Sequence, residues 1–172
     1  AAVRAKNPTA DIVMLEGNHC WRARNAANRQ PAFSGLIEVE NNMQFDERNV
    51  LYWQYWTHKK PIKIGKLHAI HGMYIGPNHA KKTADSFGRS VVYGPTHDSS
   101  LCTKVAYGGE PIQCFSIGTL SQLELDYMGS SPSNWINAFG QAFVEKNGNF
   151  NFYTTNIIDG KFIGIDGQVY SG

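Results

Sequence analysis

Three short stretches of this chain carry residue types suited to chemistry: Gly17-Asn18-His19-Cys20, His71-Gly72 and Gly94-Pro95-Thr96-His97. Each follows an apolar run. Ile12-Val13-Met14-Leu15 precedes the first, Leu67 to Ile70 the second, and Val91-Val92-Tyr93 the third. An amide oxygen and imidazole nitrogens delivered by turns suit Mn, Fe or Zn rather than a soft thiolate site. An imidazole beside such a dication would also change protonation near neutral pH. Three strands ending in these turns would gather the ligands at one rim of a sheet.

The elements that must position them follow from pattern and punctuation. Residues 1–7 read as the end of a helix stopped at Asn7-Pro8. Asp11 to Leu15 reads as a short buried strand. Trp21 to Gln30 reads as a helix ended by Pro31, and Ser34 as the cap of a second helix reaching Phe45. Val50 to Trp56 is strand-like. Ile62 to Ile64 and Leu67 to Ile70 form a hairpin around Gly65-Lys66. Asn78 caps a helix from His79 to Phe87 that Gly88 stops, and Ser90 to Tyr93 is the next strand. From Cys102 onward the pattern is all-β, with strands at 102–107, 111–117, 141–146, 149–158, 161–165 and 167–170. Asn147-Gly148, Asp159-Gly160 and Asp166-Gly167 are its hairpin turns. This order predicts one α/β domain over 1–172, with the motifs in 1–98 and a β-rich second sheet in 99–172.

Composition narrows the class. The chain has 172 residues, 42% of them hydrophobic, enough for a real core. A net charge of +2 neither demands nor excludes nucleic acid. Three cysteines without a CxxC pair argue against a zinc ribbon or a disulfide framework and for reduced thiols in the cytoplasm. No apolar run reaches the ~20 residues of a membrane span, and Ala1 to Lys6 is too polar for a signal peptide. No P-loop or dinucleotide fingerprint is present. His68, His79 and the basic residues Arg22, Arg24, Lys81, Lys82 and Arg89 read as structural or surface groups, and the large aromatics Trp21, Trp53, Trp56, Phe115, Trp135, Phe139 and Phe143 as core or interface.

GNH, then HG, then G-x-T-H, in this order and each at a strand end, resembles the calcineurin-like metallophosphoesterase family of phage and bacterial type. The likeness spans residues 11–98, including Gly76-x-Asn78-His79-Ala80-Lys81-Lys82 and Thr96-His97-Asp98. It implies a four-layer αββα sandwich and phosphoester hydrolysis by two divalent ions, Mn, Fe or Zn, roughly 3.5–4 Å apart. It implies that Asn18 and His71 ligate the second metal and that His97 ligates the first. His19 then stands over the phosphate as the catalytic acid. The substrate would be a phosphomonoester or phosphodiester, nucleic acid included.

The chain departs from the family pattern in three ways. The D-x-H and GD motifs are expected before residue 11, and residues 1–10 do not contain them, so the sandwich is expected to be incomplete at its N-terminus. Pro95 stands where GHTH has a histidine, and Cys20 where GNH is followed by an acid. The sequence therefore predicts a phosphoesterase impaired in turnover. The alternative is an inactive binding or assembly module with the same fold. Another chain or copy is expected to complete the first sheet, with no membrane partner.

Overall fold

Strands in this chain form where β-branched and aromatic residues run between Gly, Pro and Asn punctuation. The computed structural model describes residues 2–124 and 133–172. The chain divides into two compact units, Ala1–Lys60 and Pro61–Gly172, and is of mixed α/β class.

The first unit comprises α1 (Ala2–Lys6), β1 (Ile12–Leu15), α2 (Asn18–Arg29), a 3-10 turn at Pro31–Phe33, α3 (Val39–Asn42), β2 (Val50–Trp53) and α4 (Tyr55–His58). Strands β1 and β2 pair in parallel from Ile12↔Val50 to Leu15↔Trp53. The ladder runs one residue further, because Glu16 N–H donates to Trp53 O at 2.9 Å. Strand β1 is not buried as expected: Val13, Met14 and Leu51 are all exposed on this two-stranded sheet.

The helix expected over Ser34–Phe45 shrinks to the single turn of α3. Gly35 sits at φ +81° and Gln44 at φ +52°, both outside helical space. The Asn42 amide donates to the Leu36 and Glu38 carbonyls, offering the backbone a local alternative to a continuous helix. The strand expected to Trp56 stops at Trp53, where the chain turns into α4 and closes it with Lys59 in the left-handed region.

The second unit comprises β3 (Ile62–Ile64), β4 (Leu67–Ala69), α5 (His79–Phe87), β5 (Ser90–Tyr93), β6 (Ser99–Val105), β7 (Pro111–Ile117), β8 (Ala138–Val144), β9 (Phe150–Asn156), β10 (Lys161–Ile163) and β11 (Val169–Ser171). Five of these strands make one sheet in the order β3-β4-β5-β7-β6. The central β4, β5 and β7 are parallel, and antiparallel β3 and β6 form the edges. Parallel neighbours need a crossover, and α5 supplies it between β4 and β5, ending at Gly88 in the left-handed region.

This topology corrects the division at residue 98. Strands β6 and β7 belong to the same sheet as the motif-bearing β4 and β5, because β7 pairs in parallel with β5 through Val91↔Cys114 to Tyr93↔Ser116. Hairpins β8–β9 and β10–β11 form separate two-stranded sheets.

Register puts Leu67, Val92 and Phe115 in one buried cluster, with Phe150 and Phe152 of β9 packed against it. The Phe115 and Phe152 rings lie 4.5 Å apart. Each fully buried side chain of this size contributes about 1.5–3 kcal/mol. Helix α5 buries Ala80, Thr83 and Ala84. The core thus fixes the central strands from which the motif loops leave. No helix among the described residues is long and apolar enough to cross a membrane.

Candidate functional site

Strand β4 ends two residues before His71, and β5 ends at Tyr93, immediately before Gly94-Pro95-Thr96-His97. Because β4 and β5 are parallel neighbours, both loops emerge at one rim, the C-terminal one, where open α/β sheets carry their ligand sites. The loops touch. Gly94 N–H donates to His71 O at 3.2 Å. Gly72 sits at φ +101°, and a Cβ there would meet Pro95 Cδ at 2.7 Å and Tyr93 Cδ2 at 3.0 Å. Glycine is therefore required by both backbone angle and space. Pro95, the residue that departs from the GHTH pattern, is the group that fills the room beside Gly72.

His97 also occupies the left-handed region, at φ +59°, a conformation that persists only where surroundings over-determine it. Three contacts do so. His97 N–H donates to Gly94 O at 3.4 Å, and His97 O accepts from Ile136 N–H at 2.9 Å. The imidazole packs edge-on against Trp135, with ring centroids 4.3 Å apart.

The residue after His97 anchors the loop. Asp98 Oδ1 accepts hydrogen bonds from Thr96 Oγ1 at 2.6 Å and Ser116 Oγ at 2.7 Å. Its Oδ2 accepts from Ser100 Oγ at 3.0 Å and lies 2.9 Å from His79 Nε2. Burial raises the carboxyl pKa, but the bonds from Thr96, Ser116, His79 and Ser100 together outweigh it and bring it to about 2. An ionised carboxylate only accepts, so Nε2 of His79 carries the proton. In the neutral ring Nδ1 then accepts from the Tyr93 hydroxyl, 2.6 Å away. Burial pushes the Tyr93 phenol far above its ordinary pKa, so it remains a donor. His79 is buried, not a surface group as expected, because both of its ring nitrogens are satisfied between β5 and the loop. The Tyr93–His79–Asp98 chain ties the start of α5 to the end of β5 and positions His97.

In the first unit, Asn18 and His19 open α2 directly after β1, with Gly17 as the N-cap residue. Asn18 is half-buried and His19 exposed. They too stand at the C-terminal end of a parallel strand, but of the β1–β2 sheet. The expectation of three motif strands in one sheet is therefore corrected: β4 and β5 share a sheet, and β1 belongs to another.

Sequence reasoning missed Glu16, the residue preceding the GNH stretch, which is 0% exposed. Its Oε1 accepts from Arg24 Nη1, and its Oε2 accepts from Trp56 N–H at 2.9 Å. Arg24 also donates to Thr57 Oγ1 and Glu40 Oε1 and lies over the Tyr52 ring. Arg24 is thus not a solvated surface cation. An acid at a strand end with an arginine eight residues on, inside a helix, was the available signal.

The donor types on the rim suit imidazole ligation, and Asn18 suits amide ligation, for a divalent ion. Among the described residues no group of three or more His, Cys, Asp and Glu side chains stands close enough to hold an ion. The carboxylates beside the motifs are committed, Asp98 to its hydrogen bonds and Glu16 to Arg24 and Trp56. A dication needs negative ligands to offset its charge, and these two carboxylates are engaged elsewhere.

Fold and rim together define a mixed α/β protein whose histidine-bearing loops meet at the C-terminal ends of two adjacent parallel strands. No protein-family model, no curated protein and no solved structure matches the chain.

Proposed function

We propose that this chain is a metallophosphoesterase-type protein, acting on phosphomonoesters or phosphodiesters, with turnover impaired by Pro95 and Cys20. The observation that carries the reading is positional. GNH, HG and GPTH each begin at the C-terminal end of a parallel strand, the site-bearing end of such sheets. In this reading the fold is the αββα sandwich, and the protein works in the cytoplasm. Asn18, His71 and His97 are the proposed metal ligands for Mn, Fe or Zn, and His19, which is exposed at the start of α2, is the proposed donor of a proton to a leaving oxygen.

A second reading, an inactive binding or assembly module, is favoured by the carboxylates. Asp98 and Glu16 serve structure, and Pro95 packs against Gly72 where the family places a histidine.

Metal analysis and turnover separate the two. The first reading expects roughly one to two equivalents of Mn, Fe or Zn per chain. It also expects slow hydrolysis of bis-p-nitrophenyl phosphate that His71→Ala and His97→Ala abolish. Fewer than about 0.5 equivalents, with no turnover in Mn, selects the second.

Either way, the exposed Val13, Met14 and Leu51 support completion of the β1–β2 sheet by a strand from another chain or copy. Parallel sheets are ordinarily covered on both faces. Light scattering that finds a cooperatively melting monomer would count against such completion.

A further inference from the structure

The opposite, N-terminal rim of the same five-stranded sheet carries a groove of about 1000 Å³. Its frame is rigid. The Gly65-Lys66 turn of hairpin β3–β4 is locked onto the Asn147-Gly148 turn of hairpin β8–β9 by a hydrogen bond from Lys66 N–H to Gly148 O at 2.8 Å. The two turns approach so closely that a Cβ on Gly65 would lie 2.6 Å from Val144 Cγ1 and 2.7 Å from Gly148 O. The residues leading into β5 and β7 complete the lining.

The lining is strongly one-signed. Lys63, Lys66, Arg89 and Lys146 all contribute, and Glu110 is the one carboxylate among the described lining residues. Glu110 is spent on Lys66, whose Nζ lies 2.9 Å from its Oε1. A chain whose net charge is +2 thus concentrates three uncompensated cations on one rim, supplied by three different elements. Such a concentration attracts and holds anions at long range.

A second observation comes from β4. His68 lines the groove and is only 8% exposed, and its Nδ1 makes no hydrogen bond. Buried polar atoms without a partner are uncommon. His68 is the cross-strand partner of Lys63, so both side chains lie on one face of the sheet. An imidazole beside lysine and arginine is a donor set for phosphate oxygens.

We propose that this groove binds a ligand carrying consecutive phosphate groups, an oligophosphate or a nucleic-acid backbone. The site is independent of the phosphoesterase reading, since it lies at the other end of the strands from His71 and His97. An extended anion fits an open, basic groove better than a single enclosed phosphate would, because its cations are spread over separate elements and not focused on one nest of amides.

The test is fluorescence anisotropy on the full chain with a labelled oligothymidylate of roughly 12 nucleotides. Inorganic tripolyphosphate is the competitor. Binding is expected to weaken as salt rises from about 50 to 200 mM. Lys63→Glu/Arg89→Glu is expected to weaken it at least about tenfold and to flatten the salt slope by roughly two units, about one for each lost phosphate contact. Lys59→Glu/Lys60→Glu makes the same change in net charge outside the groove and should stay within about twofold of wild type. Lys146→Glu, on the other hairpin, repeats the test should the double variant melt early. Displacement by tripolyphosphate assigns the site to phosphate chemistry in general, and failure of displacement assigns it to the nucleic-acid backbone. No binding at low salt, or equal losses in the two double variants, overturns the proposal.

Discussion

Two carboxylates flank the motif loops, and they hold their loops by different means. Glu16 precedes Asn18-His19 and is fully buried against a cation, Arg24, whose side chain is itself 14% exposed. Asp98 follows His97, and its neighbours are hydroxyls and an imidazole. The Glu16–Arg24 ion pair dominates the first site, and losing one member strands a buried charge that the bonds from Trp56 to Glu16 and from Arg24 to Thr57 and Glu40 only partly offset. Asp98 spreads its charge over several modest bonds, so removing it leaves several small deficits. The first arrangement is brittle and the second graded. Both make the same point about the motifs: the acid beside the His19 stretch and the acid beside His97 are each occupied in shaping the local structure.

The sharpest way to break this comparison is Glu16→Ala. It should cost roughly 3–5 kcal/mol, measured by urea denaturation, because Arg24 would remain buried without its main partner. Glu40 Oε1, 3.3 Å from Arg24 Nη2, is too distant to take over the whole charge. Replacing both partners, Glu16→Leu with Arg24→Met, should recover most of the loss. A cost below about 1 kcal/mol for Glu16→Ala would show that the pair is not the brittle lock argued for it.

Asp98→Ala comes next, at roughly 2–3 kcal/mol, since Thr96, Ser116 and His79 would lose a common acceptor in a part-buried site. Asp98→Asn keeps one acceptor oxygen and should cost about half as much. Equal costs for the two variants would mean that charge, not acceptor count, holds the loop, and the two carboxylates would then be alike.

How much of this was visible in the sequence depends on whether the cause was local. Asn147-Gly148 and Asp159-Gly160 marked hairpins because glycine readily takes positive φ, and Gly148 sits at +88° and Gly160 at +70°. The end of helix α5 was legible for the same reason, with Gly88 at +58°, whereas the Asn78 side chain expected to cap its start makes no capping hydrogen bond. The strand ends carrying His71 and His97 were legible because apolar runs stop there.

What was not legible depended on partners distant in sequence. The helix expected from Ser34 failed because the Asn42 side chain and Gly35 gave the backbone another way to fold. His79 could not be read as buried without knowing that Tyr93 and Asp98 would reach both of its nitrogens. Pro95 read only as a lost ligand, since its contact with Gly72 exists only once β4 and β5 are side by side.

That contact gives a smaller test of the rim. Gly72→Ala should cost about 2 kcal/mol, because the added methyl meets Pro95 and the residue must hold φ +101°. Gly88→Ala, at φ +58° with no atom within 4 Å of the added carbon, should cost only about 1 kcal/mol. Pairing Gly72→Ala with Pro95→Ala should return part of the difference. Equal costs at the two glycines would mean that Pro95 does not constrain the His71 loop.

The smallest expected effect tests the Asp98 site by pH. The Asp98 pKa falls from an ordinary 3.8 to about 2 in the folded chain. A group whose folded pKa is depressed contributes stability above its unfolded pKa and loses it as pH falls through the folded one. The loss should therefore begin near pH 5, run mostly between about pH 4 and 2, and be complete only near pH 1. After allowing for the solvent-facing part of the carboxylate, it should amount to about 1–2 kcal/mol. Asp85, also brought to about 2 by its bonds from Lys104 and Lys81, titrates in the same window but is exposed, and it adds little. The difference between wild type and Asp98→Asn should shrink as pH falls from 4 to 2, because the asparagine cannot titrate. A difference that stays constant across this range would show that the carboxylate is held no more tightly in the folded loop than in the unfolded chain, and the graded hold on His97 would fail with it.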